Sequence, residues 1–555
     1  LKAVSRPLAL AAALLLAALW FSGLDHRSLV RPDEGRYGEI AREMATSGDW
    51  VTPRLNAYRY FEKPPLQYWA TATAYRLFGV DEWTTRLWTA LTGFAGIALV
   101  FLFANRILGP PAGFVAAAVL AGSGLYAFMG QLATLDMAFA CFATLAVFGF
   151  ALGQMDDAPP AARRRWMWAG WLGMALATLS KGLAGVVLPV AAVGVYILLR
   201  RDFRRLRELR LLTGGLLFLA VTAPWFVLVA DRNPEFLRFF FIQEHFQRYT
   251  STLHGRYEPF WYFVPVLAIG ILPWLPAALA ALWFAPRERS GARFEPVPFL
   301  VAWCATVFLF FSASDSKLPS YVLPIFPALA VLIAWQLARA DRRFLAFQAG
   351  FGALAGLGLA LFGLFIDRFA GSDTPHAVTA DYRPWLVGAG ALLLLASAGS
   401  LALAAQGRRV ASMILLGIGA LAATKAVTLG HESHVEQRSA GPLIARAQPA
   451  FAAAAQKAPL ATTPFFMVEL FDHTIPWYLG RTVTLVADKD ELSQAIAWEP
   501  RDFVPDTNAF LARWAELPQA YAILRPHVYE AMRRERGFAA EIISSSRRLV
   551  IVRKP

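Results

Sequence analysis

The chain has 555 residues, 57% hydrophobic and only 17% charged, against the roughly 45–50% and about 25% of an ordinary soluble domain. Successive apolar runs near the ~20 residues that cross a bilayer predict an α-helical polytopic membrane protein, and set aside disorder, collagen and nucleic-acid binding. The net charge of +14 reports topology rather than a polyanion partner: Lys2, Arg6 and the loops at 106, 163–165, 200–210, 287–293, 339–343 and 408–409 carry nearly all of it, while the alternate loops are almost neutral, so the basic loops are expected inside.

In chain order, the first apolar run, 7–24, lacks a small-residue cleavage site and reads as a signal anchor. Residues 25–64 form an outer loop. Within it Tyr37, Ile40, Ala41 and Met44 fall on one side and Glu39, Arg42 and Glu43 on the other, which predicts an amphipathic helix from Asp33 to Met44 lying on the membrane surface. Segment 65–80, broken by Gln67, Thr71, Thr73 and Arg76, is expected to be short or interfacial. Further spans are expected near 84–104, 111–129, 131–154, 166–180, 183–199, 211–230, 260–285, 297–312, 319–338, 344–366, 384–405 and 410–429. With the N-terminus inside and 25–64 outside, Arg106 is inside only if 65–104 crosses an odd number of times, which makes thirteen crossings. A second amphipathic roof is expected at 233–249 in the outer loop 231–258.

The membrane domain ends near residue 430. The remainder, 431–555, has ordinary charge density, strand-like runs at 464–470, 482–486 and 542–552, and helical patterns at 441–455 and 490–498. It is expected to be a small α/β domain on the outer face. The two cysteines, Cys141 and Cys304, both lie in apolar runs, so neither a disulfide framework nor a Cys-based zinc site is available.

The topology puts every polar cluster of interest on the outer side. Asp33 and Glu34 follow Pro32; an acidic helix start explains one acid better than two beside Arg31 and Arg36. Glu62 and Lys63 stand where the chain enters the membrane ahead of Pro64 and Pro65, where a snorkelling lysine is the plain alternative. Asp136 and Lys181 are stronger, because an ionisable residue in an apolar run costs about 2.5–3.5 kcal/mol on insertion scales and usually marks a pathway or site. Lys317 and Tyr321, in Ser-Lys-Leu-Pro-Ser-Tyr, form another outer corner. Several cations converging at one interface suggest a lipid phosphate. Glu62 with His245 is a candidate divalent metal pair, although an interfacial histidine more often simply hydrogen-bonds; the pair His431 and His434 lacks a third ligand in reach.

Residues 31–44 (Arg-Pro-Asp-Glu-Gly-Arg-Tyr-Gly-Glu-Ile-Ala-Arg-Glu-Met), 47–50 (Ser-Gly-Asp-Trp) and 60–65 (Tyr-Phe-Glu-Lys-Pro-Pro) resemble the lipid A aminoarabinose transferases, within the wider GT-C class of polyprenyl-phosphate-sugar glycosyltransferases. The resemblance continues at Thr134-Leu-Asp136, Ser180-Lys-Gly182 and residues 316–324; it covers the membrane part more closely than the tail. The 134–136 and 180–182 blocks are shared with protein O-mannosyltransferases.

The resemblance implies a GT-C membrane fold. It also implies transfer of 4-amino-4-deoxy-L-arabinose from undecaprenyl phosphate to a lipid A phosphate at the periplasmic face of the inner membrane, with resistance to polymyxin as the outcome. It places the catalytic carboxylate on Asp33 with Glu34 in support. Lys63, Lys181 and Lys317 would hold the donor phosphate, Asp136 or Glu62 the sugar's ammonium, and Tyr321 would join the substrate site. No cofactor is required by the sequence beyond the candidate metal. Two alternatives stay open: a protein O-mannosyltransferase-like enzyme, which shares the architecture and needs a base for a hydroxyl acceptor, and a sugar or lipid transporter, which needs polar groups reaching both faces.

Overall fold

The computed structural model describes residues 6–247, 258–288, 291–372, 374–500 and 503–555. In lipid, a backbone must satisfy its own polar groups, and an apolar segment does so as a helix. Among the described residues the helices occupy thirteen crossing positions: α1 (Arg6–Phe21), a second at Glu82–Leu108, then Pro110–Ala121 continued by Gly124–Met129, Leu135–Gly153, Pro160–Lys181, Ala184–Arg200, Leu211–Arg232, Phe263–Gly270 continued by Leu275–Phe284, Pro296–Ser312, Ile325–Arg339, Arg342–Leu364, His376–Ala405 and Arg409–Gly430. Six of these are long and apolar enough to span on their own. Small residues let neighbours close in: a Cβ on Gly173 would stand 2.6 Å from the backbone nitrogen of Ala146.

The basic loops meet at one end of this bundle. Arg106 pairs with Asp157 at 2.7 Å, Arg293 with Asp202 and Glu208 at 3.0 and 3.2 Å, and Arg339 with Glu288 at 2.8 Å. The opposite end carries the first loop and the tail. Helix α2 (Asp33–Ser47) forms where the amphipathic pattern predicts it, and α3 (Leu66–Phe78), at 13 residues, is too short to cross a ~30 Å hydrocarbon layer. Between them β1 (Arg54–Leu55) and β2 (Tyr58–Arg59) make a hairpin, with Asn56 and Ala57 at positive φ.

The tail folds as a six-stranded sheet in the order β5-β4-β3-β6-β8-β7. The strands are β3 (Phe465–Val468), β4 (Thr484–Val486), β5 (Phe503–Val504), β6 (Tyr521–Leu524), β7 (Glu541–Ser545) and β8 (Val550–Arg553), with β5 to β6 mutually parallel and β8 and β7 antiparallel. The expected helices at 441–455 and 490–498 appear as Gly441–Ala454 and the pair Asp490–Leu492 and Ser493–Trp498. β6 was not foreseen, because a short strand buried on both faces shows no alternation.

One expectation is corrected. α2 does not rest on the membrane surface with its polar side in water: Glu39 and Arg42 are buried with the rest, because helix Thr474–Leu479 covers them. The contact is tight, and a Cβ on Gly35 would come 2.7 Å from the backbone carbon of His473. The segment expected as an amphipathic roof contains the π-helix Arg238–Gln247; residues 248 and 249 lie outside the described residues.

Candidate active site

The first turn of α2 divides two adjacent acids. Glu34 points inward and is 1% exposed. There it meets Arg86, which has all five N–H groups engaged: Nε and Nη2 on the Glu34 carboxylate at 2.7 and 2.8 Å, the rest on the carbonyls of Leu24, Arg27 and Ser28. Glu34 also accepts the backbone N–H groups of Val30 and Ala133. Opposed to burial, the Arg86 charge and these hydrogen bonds hold its carboxyl below the usual range. With every lone pair committed, Glu34 is an anchor for the loop that carries Asp33. This corrects its expected place in the catalytic pair, because a carboxylate enclosed this way has no access to substrate.

Asp33 is the free end of that arrangement, with its side chain 40% exposed and Oδ1 accepting from Arg36 at 2.8 Å. Arg36 turns its other edge to Glu491 of the tail, Nε donating at 2.7 Å with a second, shorter contact through Nη2. His473 completes the row, its Nε2 standing 3.0 Å from Glu491. Burial opposes ionisation of Glu491, but Arg36 and His473 overcome it and hold the carboxyl at about 2. Asp33 therefore sits at the tip of a bonded row, Asp33, Arg36, Glu491 and His473, fixed at its far end in a different domain.

Around this row stand aromatic hydroxyls and a second acid. Tyr37 and Tyr68 pack with ring centroids 6.1 Å apart, and among the described residues the buried hydroxyls of Tyr60 and Tyr68 have no hydrogen-bond partner, which suits a polar ligand. Glu62 is pushed up to about 7 by burial and by the neighbouring Glu244 and Glu491, against the pull of Lys63 and Arg36. Lys63 donates to the Glu62 carbonyl at 2.9 Å and lies 3.5 Å from Glu244. The two intramembrane charges meet: Lys181 bonds Asp136, and its ammonium lies 4.4 Å from the ring centre of Tyr321. Each of that pair keeps 14% of its side chain exposed, so Lys181, Asp136 and Tyr321 form one polar spot at the outer ends of their helices.

Lys317 is placed differently from expectation. Its ammonium donates to the carbonyls of Ser314 and Glu258 at 2.5 and 2.7 Å and is buried, so it ties two outer loops together rather than presenting a charge to a donor phosphate. Of the candidate metal pair, Glu62 is in the site, whereas the side chain of His245 lies outside the described residues. Among the described residues no three His, Cys, Asp or Glu side chains are grouped to hold an ion. Arg36 was noticed in the sequence only as a neighbour of the acids, and His473, Glu491 and Glu244 were missed. Glu491 stands 455 positions from Arg36, and no local pattern reports such a meeting.

Residues 8–240 match the dolichyl-phosphate-mannose-protein mannosyltransferase family and residues 451–554 the aminoarabinose transferase C-terminal domain family. The undecaprenyl phosphate-α-4-amino-4-deoxy-L-arabinose arabinosyl transferase of Erwinia tasmaniensis is 32% identical over 434 residues, 75% of each chain. The protein of that name from Edwardsiella ictaluri is 35% identical over 329 residues, a match that spans 58% of each chain. The crystal structure of ArnT from Cupriavidus metallidurans bound to undecaprenyl phosphate superposes with a TM-score of 0.92 at 35% identity, covering 99% of this chain and 98% of that one. The apo crystal structure of the same protein gives 0.90.

Proposed function

The chain belongs to the undecaprenyl phosphate-aminoarabinose arabinosyl transferase family, and from that premise we propose that it moves 4-amino-4-deoxy-L-arabinose from undecaprenyl phosphate to a phosphate of lipid A. The reaction is placed at the periplasmic face of the bacterial inner membrane, with the basic loops cytoplasmic and the sheet domain outside. The observation that carries this reading is the Asp33 carboxylate, 40% exposed and held by Arg36, which shares the surroundings of Tyr37 with Asp136 of the outer-end pair Lys181 and Asp136.

In this mechanism an acceptor phosphate oxygen forms a bond to the anomeric carbon while the bond from that carbon to the carrier phosphate breaks. The acceptor is already ionised, so a strong base is unnecessary. Asp33 stabilises positive charge developing on the sugar, and Arg36 fixes its orientation. Lys181 and Lys63 neutralise the departing carrier phosphate. Asp136, or Glu62 when ionised, receives the sugar's ammonium. These residues supply the charges the step needs without a cofactor. A divalent ion at Glu62 is the alternative, and it would reveal itself as transfer lost in chelator and restored by the metal.

The test is expression in cells lacking their own transferase, with lipid A analysed by mass spectrometry and survival scored in polymyxin. Lipid A gaining one aminoarabinose is the expected result. A sugar found on protein hydroxyls instead, the outcome favoured by the match of residues 8–240, would replace this reading with a mannosyltransferase-like one.

A further inference from the structure

A second basic centre lies beside Asp33, and the reaction just described does not use it. The chain runs outward from β3 through β4 to β5, then returns to the other side of β3 as β6. Where strand order reverses in this way, the crevice beyond the carboxyl ends of the strands is the usual ligand position of an open α/β sheet. Register sets Val468 of β3 against Leu524 of β6, and Leu524 against Val550 of β8. Arg525, just after β6, and Arg548, just before β8, therefore emerge at the same edge as the loop following β3. That loop provides Asp472, which accepts from Arg548 Nη1. Arg548 Nε donates to the Glu436 carbonyl at 3.3 Å, and its buried Nη2 has no acceptor among the described residues.

Two more arginines arrive from the membrane boundary. Arg31 follows α1 and its backbone N–H donates to the carbonyl of Arg438, which follows the last membrane helix, at 2.8 Å. Both stand shortly beyond the end of a membrane helix, on the sheet-domain side of the bundle. Arg31, Arg438 and Arg525 are exposed and form no side-chain ion pair among the described residues. Desolvation and the guanidiniums of Arg548, Arg438 and Arg525, opposed by Asp472, keep Arg31 below its ordinary value, so the four share one field. Helix Pro526–Arg536 directs its positive end to the same edge. A solvated charge run accounts for isolated arginines. It does not account for an orphaned, buried guanidinium N–H with three unpaired arginines around it.

We propose that Arg31, Arg438, Arg525 and Arg548 form a receptor for a phosphate of the glycolipid acceptor other than the one that receives the sugar. The assignment rests on reading the acceptor as lipid A, whose two phosphates offer one to the reaction and one to a clamp. Arg31 is two positions from Asp33, so a phosphate held here brings the same molecule to the catalytic carboxylate. The arginines provide paired N–H donors suited to phosphate oxygens.

The test uses the full chain in nanodiscs, with Arg438→Gln combined with Arg525→Gln, both exposed positions, and with Arg525→Lys as the charge-keeping control. Transfer is measured to bisphosphorylated lipid A and to lipid A lacking the non-reacting phosphate. The parent is expected to show a KM about tenfold lower for the bisphosphorylated acceptor, the size of one charge-assisted contact. The double variant should lose that preference while its KM for the donor stays at the parental value, and Arg525→Lys should retain part of it. An unchanged preference, or a KM raised equally for both acceptors, overturns the clamp. Retention of each lipid by the purified protein, read by native mass spectrometry, decides the clamp even if transfer to lipid A fails and with it the proposed function. Selective loss of bisphosphorylated lipid A supports the clamp, and equal loss of phosphatidylglycerol shows a general anionic surface and overturns it.

Discussion

At Asp33 and Glu34 the first turn of one helix sends adjacent carboxylates into opposite surroundings. Glu34 is enclosed with a fully bonded Arg86, so Glu34→Gln leaves a buried guanidinium without its counter-charge. Loss of one partner of such a pair costs about 3–5 kcal/mol, and the expected result is a lowered thermal midpoint and reduced yield of folded protein. Asp33→Asn should behave in the opposite way. The N-cap of α2 is Pro32, and the Asp33 side chain accepts from the side chain of Arg36, so folding is expected to survive, while transfer falls by ~10²–10⁴-fold with carrier binding little changed. Near-normal lipid A modification by a folded Asp33→Asn protein would move the catalytic role to Asp136. Lys181→Ala, which removes the cation beside Asp136 and Tyr321, is expected to weaken undecaprenyl phosphate binding roughly ten- to hundredfold in a direct binding titration, with Lys181→Arg losing less.

α2 is the element on which both domains converge. Its near face carries Glu34 down to Arg86, and its far face meets helix Thr474–Leu479 and the row Arg36, Glu491, His473. The hairpin after it is clipped to the tail as well, the Asn56 side chain bonding the backbone of Val483 in both directions at 2.8 and 2.9 Å. Because the folded Glu491 carboxyl lies at about 2, below its unfolded value of 4.5, its ionisation stabilises the folded state above pH 4.5. That contribution is lost as pH falls through 4.5 toward 2. Glu491→Gln is therefore expected to be less stable than the parent by a constant margin from pH 8 to 5, with the margin closing below 4.5. Thermal melts across that range measure it, and a margin that does not change with pH would mean that the Arg36 pair contributes nothing through charge.

Across the whole molecule, charge separates the two ends of the bundle. Arginine-rich loops gather at one, while Asp33, Glu62, Lys63, Asp136 and Lys181 occupy the other beneath the sheet domain. Single cysteines replacing Ser47 and Ser545, both exposed at the sheet-domain end, should react with an impermeant reagent applied from the periplasm; one replacing Ala161, exposed among the basic loops, should not. Labelling of the Ala161 site alone would invert the orientation. The membrane helices, the short α3, α2 and the existence of a sheet domain were legible from apolar run length, periodicity and charge, because each depends on residues a few positions apart and on the solvent they face. The convergence of the first loop with the tail was not legible. Glu34 and Asp33 look alike in sequence, Lys317 looks as available as Lys181, and nothing near residues 473 or 491 announces a partner at 36. Which charges are spent on holding the fold and which stay open to substrate depends on packing between segments hundreds of residues apart, and only the folded chain brings those counter-charges within bonding distance.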